Sequence, residues 1–225
     1  MAFGSKTSLA PPKLMAGLGP TLTLLLVSLL VRAAPADIDI HSLCYTYKIP
    51  LESSSGQPWC DVQGQLDADN FLSYDSGSDT VKNMSILGVI LSATETWKDQ
   101  IEMLKEAGNL FRQSCPDIKL ENLADRGAGS VCLQVMLTCQ RISSGNIYGF
   151  WEFGRNGQIF LTFRPESEKW EMEHSRAKSL KEKWEKDSDL IKFLKKMSMG
   201  DCKRWLKAFV EHQDRNGNYE RRRKQ

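Results

Sequence analysis

Histidine is scarce in this sequence: His41, His174 and His212 are the only three, and the last two lie far apart in a stretch of helical pattern. No Ser/His/Asp, Cys/His or metal-ligand spacing can be assembled from so few, which argues against nucleophilic or metal-assisted catalysis. No CxxC pair occurs, so a zinc ribbon or thioredoxin-like motif is also missing. Glu152 and Glu166 are carboxylates without a sequence partner and read as surface residues. No cofactor-binding motif appears, and the expectation is a non-enzymatic protein with no cofactor and no bound metal.

A basic folded body is lacking too. The chain holds 30 Lys and Arg against 28 Asp and Glu. Lys6, Lys13 and Arg32 fall in residues 1–36, which contain no acid, so the remainder is close to neutral. Arg221, Arg222, Arg223 and Lys224 supply most of the other excess, which leaves residues 37–219 net acidic. Phosphate backbones need clustered cations on the fold itself, so nucleic acid is not an expected partner.

Residues 1–36 read as a signal peptide: Lys6 and Lys13, then an apolar run from Leu14 to Val31, then Ala34-Pro35-Ala36 as the cleavage site. The last residues, 214–225, form a basic tail with no small-residue site followed by an apolar stretch, so neither a lipid anchor nor a span is expected there. The sequence as written is therefore expected to be secreted. Six cysteines (Cys44, Cys60, Cys115, Cys132, Cys139, Cys202) in such a chain point to disulfides, although six permit fifteen pairings. One sequon, Asn83-Met84-Ser85, offers a glycosylation site at Asn83.

The remaining pattern repeats itself. Residues 41–49 and 59–66 alternate as strands, a polar turn follows at 67–70, and 71–75 is a third strand with a short fourth near Val81. Residues 92–113 carry Trp97, Ile101, Leu104, Gly108 and Phe111 on one helical face, with Lys98, Glu102, Lys105, Glu106 and Arg112 on the other. Ser92 or Thr94 can cap this helix, and Pro116 ends it. A polar linker at 122–130 separates the halves. Val131 to Cys139 alternates again, and Tyr148–Phe153 and Gln158–Phe163 flank an Asn156-Gly157 hairpin turn. A long helical pattern spans 166–213, interrupted at Gly200. Two runs of about four strands, each followed by a helix that must bury one face, are most economically one eight-stranded antiparallel sheet crossed by two helices, an α+β fold.

The residues resemble an MHC class I platform. His41-Ser42-Leu43-Cys44-Tyr45-Thr46-Tyr47 is similar to the opening strand of a class I first domain, and residues 58–76 to its second and third strands. Asn156-Gly157-Gln158-Ile159-Phe160 resembles the class I hairpin; Lys183-Trp184-Glu185 and Cys202-x-x-Trp205-Leu206 resemble its second helix. Within that superfamily the Cys44 and Trp59-Cys60 pair, the Ser198-Met199-Gly200-Asp201-Cys202 segment and the lack of an immunoglobulin-like domain after Phe209 resemble the ULBP/RAET group.

That resemblance implies a stress ligand for the dimeric lectin-like activating receptor of natural killer cells (natural killer group 2 member D), without beta-2-microglobulin and without a peptide. A soluble form would act as a decoy. It implies platform halves at 37–127 and 128–213, a Cys139–Cys202 bridge and a Cys44–Cys60 staple; Cys115 and Cys132 are left open, bridged or free. Receptor contacts are expected from Lys98, Glu102, Lys105 and Glu106 on the first helix and from Met197, Ser198, Met199, Asp201 and Arg204 on the second. The alternative is a groove that carries a peptide or lipid. Tyr45 and Tyr47 stand where first-strand tyrosines of peptide binders do, but Phe209 and Met197 replace two hydroxyl-bearing tyrosines, which removes hydrogen bonds to peptide ends.

Overall fold

In the first strand, apolar side chains alternate with polar ones. Leu43, Tyr45, Tyr47 and Ile49 are fully buried, whereas Lys48 is exposed, as expected where only one sheet face is covered. This computed structural model describes residues 40–50, 60–120 and 131–223. The expected signal segment, most of the turn through Pro58 and the linker at 122–130 lie outside the described residues.

Strand β1 (Ser42–Pro50) lies at the centre. On one side come β2 (Asp61–Leu66), β3 (Asp69–Asp75) and β4 (Thr80–Asn83); on the other β5 (Val131–Arg141), β6 (Ile147–Arg155), β7 (Gln158–Arg164) and β8 (Lys169–Met172). The order β4-β3-β2-β1-β5-β6-β7-β8 is antiparallel throughout, and the two halves meet where Tyr45 pairs with Leu137. The turns follow their residue chemistry. Asn156 and Gly157, with φ of 49° and 79°, close the β6–β7 hairpin in the left-handed region that Asn-Gly favours.

Helices cover one face. α1 (Ile86–Ser92) was not evident from the periodicity, being only seven residues long. Its Ser85 cap accepts a bond from the Gly88 amide at 3.3 Å. Gly88 presses on the sheet so closely that a Cβ there would lie 2.1 Å from the Phe71 carbonyl oxygen. α2 (Glu95–Gln113) starts at Thr94, whose hydroxyl donates back to the Leu91 carbonyl at 2.6 Å rather than capping the helix. Pro116 does not stop the helical path: α3 (Cys115–Leu120) begins beside it, with proline tolerated in a first turn.

The stretch expected to be helical from residue 166 instead begins as β8, and helix starts only after a 3₁₀ turn at Ser175–Ala177. Trp170 decides this: it packs on Phe163 (4.6 Å between ring centres) as a cross-strand partner, so tertiary packing overrides the local pattern. The helix then comes in pieces: α4 (Lys178–Trp184), α5 (Ser188–Lys195, capped by Asp187), a π-turn (Lys196–Asp201) and α6 (Cys202–Arg223). α6 continues beyond the expected end at 213. No helix among the described residues is long and apolar enough to cross a membrane.

Candidate functional site: the two-helix surface

Side chains of the sheet reach up and touch both helices. Near one end the Phe71 ring lies 6.3 Å from Trp97 of α2 and 5.5 Å from Phe209 of α6. Tyr45 supports it edge-on at 6.2 Å and meets Trp205 at 5.8 Å. Near the other end Phe153 touches Phe111 of α2 (6.0 Å) and Trp184 of α4 (4.9 Å). Trp151 stands 5.5 Å from Phe111 and donates its indole N–H to the Leu194 carbonyl of α5 at 3.0 Å. Between these points Lys196 Nζ meets Met103 Sδ at 3.9 Å, directly from one helix to the other. The space that separates peptide-holding helices is thus occupied by the protein's own aromatic side chains.

Buried polar atoms persist beneath this roof. The hydroxyls of Tyr45 and Tyr47, the Trp205 indole N–H and the Gln100 amide meet no partner among the described residues. Burial drives both tyrosine pKa values well above the usual range, so both rings stay neutral.

Two contacts hold the π-turn region to the sheet and one ties it back to α5. Cys202 is bridged to Cys139 of β5 (S–S 2.11 Å). Gly149 of β6 lets the turn approach so near that a Cβ would sit 2.6 Å from the Ser198 carbonyl. The Ser198 hydroxyl donates to the Leu194 carbonyl at 2.6 Å. The same carbonyl thus accepts from both Ser198 and Trp151, which offsets the bond an α-turn would have supplied.

Class I histocompatibility antigens, domains alpha 1 and 2, match residues 39–216. Human UL16-binding protein 2 is 39% identical over 191 residues, which is 85% of this chain and 76% of that protein. This chain belongs to the ULBP/RAET family of MHC class I-like proteins. Human retinoic acid early transcript 1E is 35% identical over 193 residues, 86% of this chain and 72% of that protein. Human UL-16 binding protein 5 is 39% identical over 191 residues, and there the chain spans only 56% of its relative.

On this ULBP/RAET platform the expected contact residues fall into three groups. Lys98, Glu102 and Glu106 are exposed on the outer side of α2, and Met199 (38% exposed) and Arg204 are exposed on the second helix. Lys105 and Asp201 are engaged within the molecule. Lys105 pairs with Asp79 of the β3–β4 turn at 2.6 Å and lies over the Tyr74 ring. The Asp79 carboxyl is held below its ordinary pKa first by the bond from Lys105 and then by that from Tyr74. Asp201 accepts from Arg204 at 3.0 Å. Met197 and Ser198 do not reach the surface. Both are fully buried, because they follow Leu194 by three and four residues and so share its buried face, with Ser198 against Gly149 of β6 and Cys139 of β5; they do not belong to the contact set.

The cysteines need a correction as well. Cys115 and Cys132 form the second disulfide, joining α3 to β5. Cys44 and Cys60 are free. Cys44 pairs with Gln65 across the hairpin, whereas Cys60 precedes Asp61, the partner of Lys48. The two are some five residues apart along the strands, about 16 Å. They also point to opposite faces, Cys60 with the buried Val62 and Cys44 with the underside, so no disulfide can span them. Asn83, the sequon asparagine, is exposed on the edge strand β4, its side-chain amide bonded to the Ser92 hydroxyl at 3.3 Å.

Proposed function

We propose that this chain is a stress ligand acting outside the cell, whose two-helix surface engages the dimeric lectin-like activating receptor of natural killer cells and promotes killing. The observation that supports this most is the filled interhelical space. With Phe71, Phe153 and Trp151 each linking both helices and Lys196 resting on Met103, the top is a continuous, preorganised surface rather than a groove. Lys98, Glu102 and Glu106 on one helix and Met199 and Arg204 on the other supply a mixed polar rim with an adaptable apolar contact. Two disulfides suit an oxidising extracellular setting. In this reading the platform needs neither peptide nor beta-2-microglobulin, and Asn83 carries a glycan on the sheet edge.

The test is surface plasmon resonance of the purified platform over immobilised receptor ectodomain, with no second subunit added. Micromolar or tighter binding is expected. Charge reversal by Glu102→Lys and Arg204→Glu should each weaken it about tenfold without lowering the melting temperature. Absence of binding at high micromolar concentration sinks the proposal.

A further inference from the structure

Arg155, the last residue of β6, is 6% exposed, and its Nε and Nη1 atoms are buried without an acceptor. It forms no ion pair among the described residues. A buried guanidinium is costly to desolvate and normally faces a carboxylate. By strand alternation Arg155 shares the helix side of the sheet with Trp151 and Phe153. Glu152 alternates to the other face of β6 and borders a second recess that Arg155 also lines; its carboxyl pKa is raised first by burial, then lowered by Arg164 and raised by Glu173. Neither Glu152 nor Glu173 forms an ion pair with Arg155 among the described residues.

A recess of about 70 Å³ opens on this guanidinium. Its polar lining is Arg155, Asn156, Gln158, His174 and Arg176, with no acidic residue in the lining itself. His174 Nδ1 accepts the Arg176 backbone N–H at 3.2 Å, which places the ring proton on Nε2 and leaves that nitrogen a donor. The walls are held in place. The Asn156-Gly157 turn fixes one side, and the Glu173 amide bonds to the Phe160 carbonyl at 3.1 Å on the other. At Phe160 the β6–β7 register slips: Phe153 pairs with Leu161 but Gly154 with Ile159. This bulge re-aims the hairpin end beside the sheet, a common use of bulges near sites.

We propose that this recess binds a tetrahedral oxyanion, a phosphate or sulfate group, clamped by the Arg155 fork and assisted by Arg176 and His174. Guanidinium geometry matches such oxygens two at a time, and partial burial strengthens each bond. The group can come as a free anion or as a sulfate ester on a sugar. The site is separate from the receptor-facing residues named above and does not depend on that reading.

Thermal melts of the intact platform at matched ionic strength test it, with inorganic phosphate, inorganic sulfate and a sulfated disaccharide as probes. Wild type should gain about 3 °C when an anion stands tenfold above its Kd. Arg155→Leu should show no gain, and without anion it should melt no lower than wild type, because it removes an uncompensated buried charge. Arg176→Ala, which leaves the core untouched, should bind about tenfold more weakly. In NMR spectra of wild type the Arg155 Nε–H resonance should shift on addition of phosphate. Tighter binding of the disaccharide than of inorganic sulfate assigns an ester ligand; equal binding assigns the free anion. No gain in wild type, or an equal gain in Arg155→Leu, overturns the proposal, as does an unmoved Nε–H resonance.

Discussion

Cys44 and Cys60 are chemically alike in the sequence and differently placed in the fold. Burial pushes the Cys60 thiol up to about 12, and burial also raises that of Cys44, so both resist thiolate chemistry at neutral pH. Denaturation without reductant, followed by alkylation and mass analysis, should yield two adducts, at Cys44 and Cys60, with the other four cysteines unmodified. Recovery of no adduct would mean that the hairpin is stapled after all. Asp79 is a second case. Its folded pKa is depressed by Lys105 and Tyr74, so the pairing stabilises the fold above the ordinary carboxylate pKa and is lost as pH falls through the depressed value. Lys105→Met should move the Asp79 titration upward in NMR and flatten this acid limb of the stability profile; an unchanged Asp79 titration would refute the pairing.

At the scale of elements, legibility followed the length and regularity of the signal. β1, β5 and α2 were readable because alternation or helical spacing persists through Leu43–Ile49, Val131–Cys139 and Trp97–Phe111. α1 was not, because seven residues give under two turns of periodicity. β8 was hidden since Trp170 fits a helical stripe equally well until Phe163 is placed beside it. The Gly200 break was visible, but not its form. Met197 and Ser198 follow the buried Leu194 by three and four residues and share its inward face, and the contacts at Gly149 and Cys139 show that this face meets the sheet. The same packing explains why two of the five contact residues expected on this helix, Met197 and Ser198, are buried, while the Cys139–Cys202 bridge forms. Gly149→Ala tests the seat of this element. Its Cβ would lie 2.6 Å from the Ser198 carbonyl oxygen, a backbone atom with little room to yield. A loss of about 1–3 kcal/mol in denaturant unfolding is expected, together with weaker receptor binding. Unchanged stability would show that the turn is free to lift.

Across the whole molecule, aromatic rings rising from the sheet link the two helices. Phe71 is the clearest case, since one fully buried side chain of β3 contacts Trp97, Phe209 and Tyr45 and so belongs to both helices and the sheet at once. If this filling is what replaces a groove, removing it should recreate one. Phe71→Ala should cost about 3–5 kcal/mol, the usual range for deleting a buried phenyl ring. The resulting cavity would be lined by aromatic faces and should stay dry and accept small apolar molecules. Benzene or xenon should therefore raise the melting temperature of Phe71→Ala while leaving wild type unmoved. Receptor binding by the variant, measured well below its melting point, should weaken because the helices lose their fixed spacing, and benzene should restore part of it. If the variant loses stability but benzene has no effect, the helices have collapsed into the gap, and their spacing is set by the Lys196–Met103 contact and the Cys139–Cys202 bridge instead.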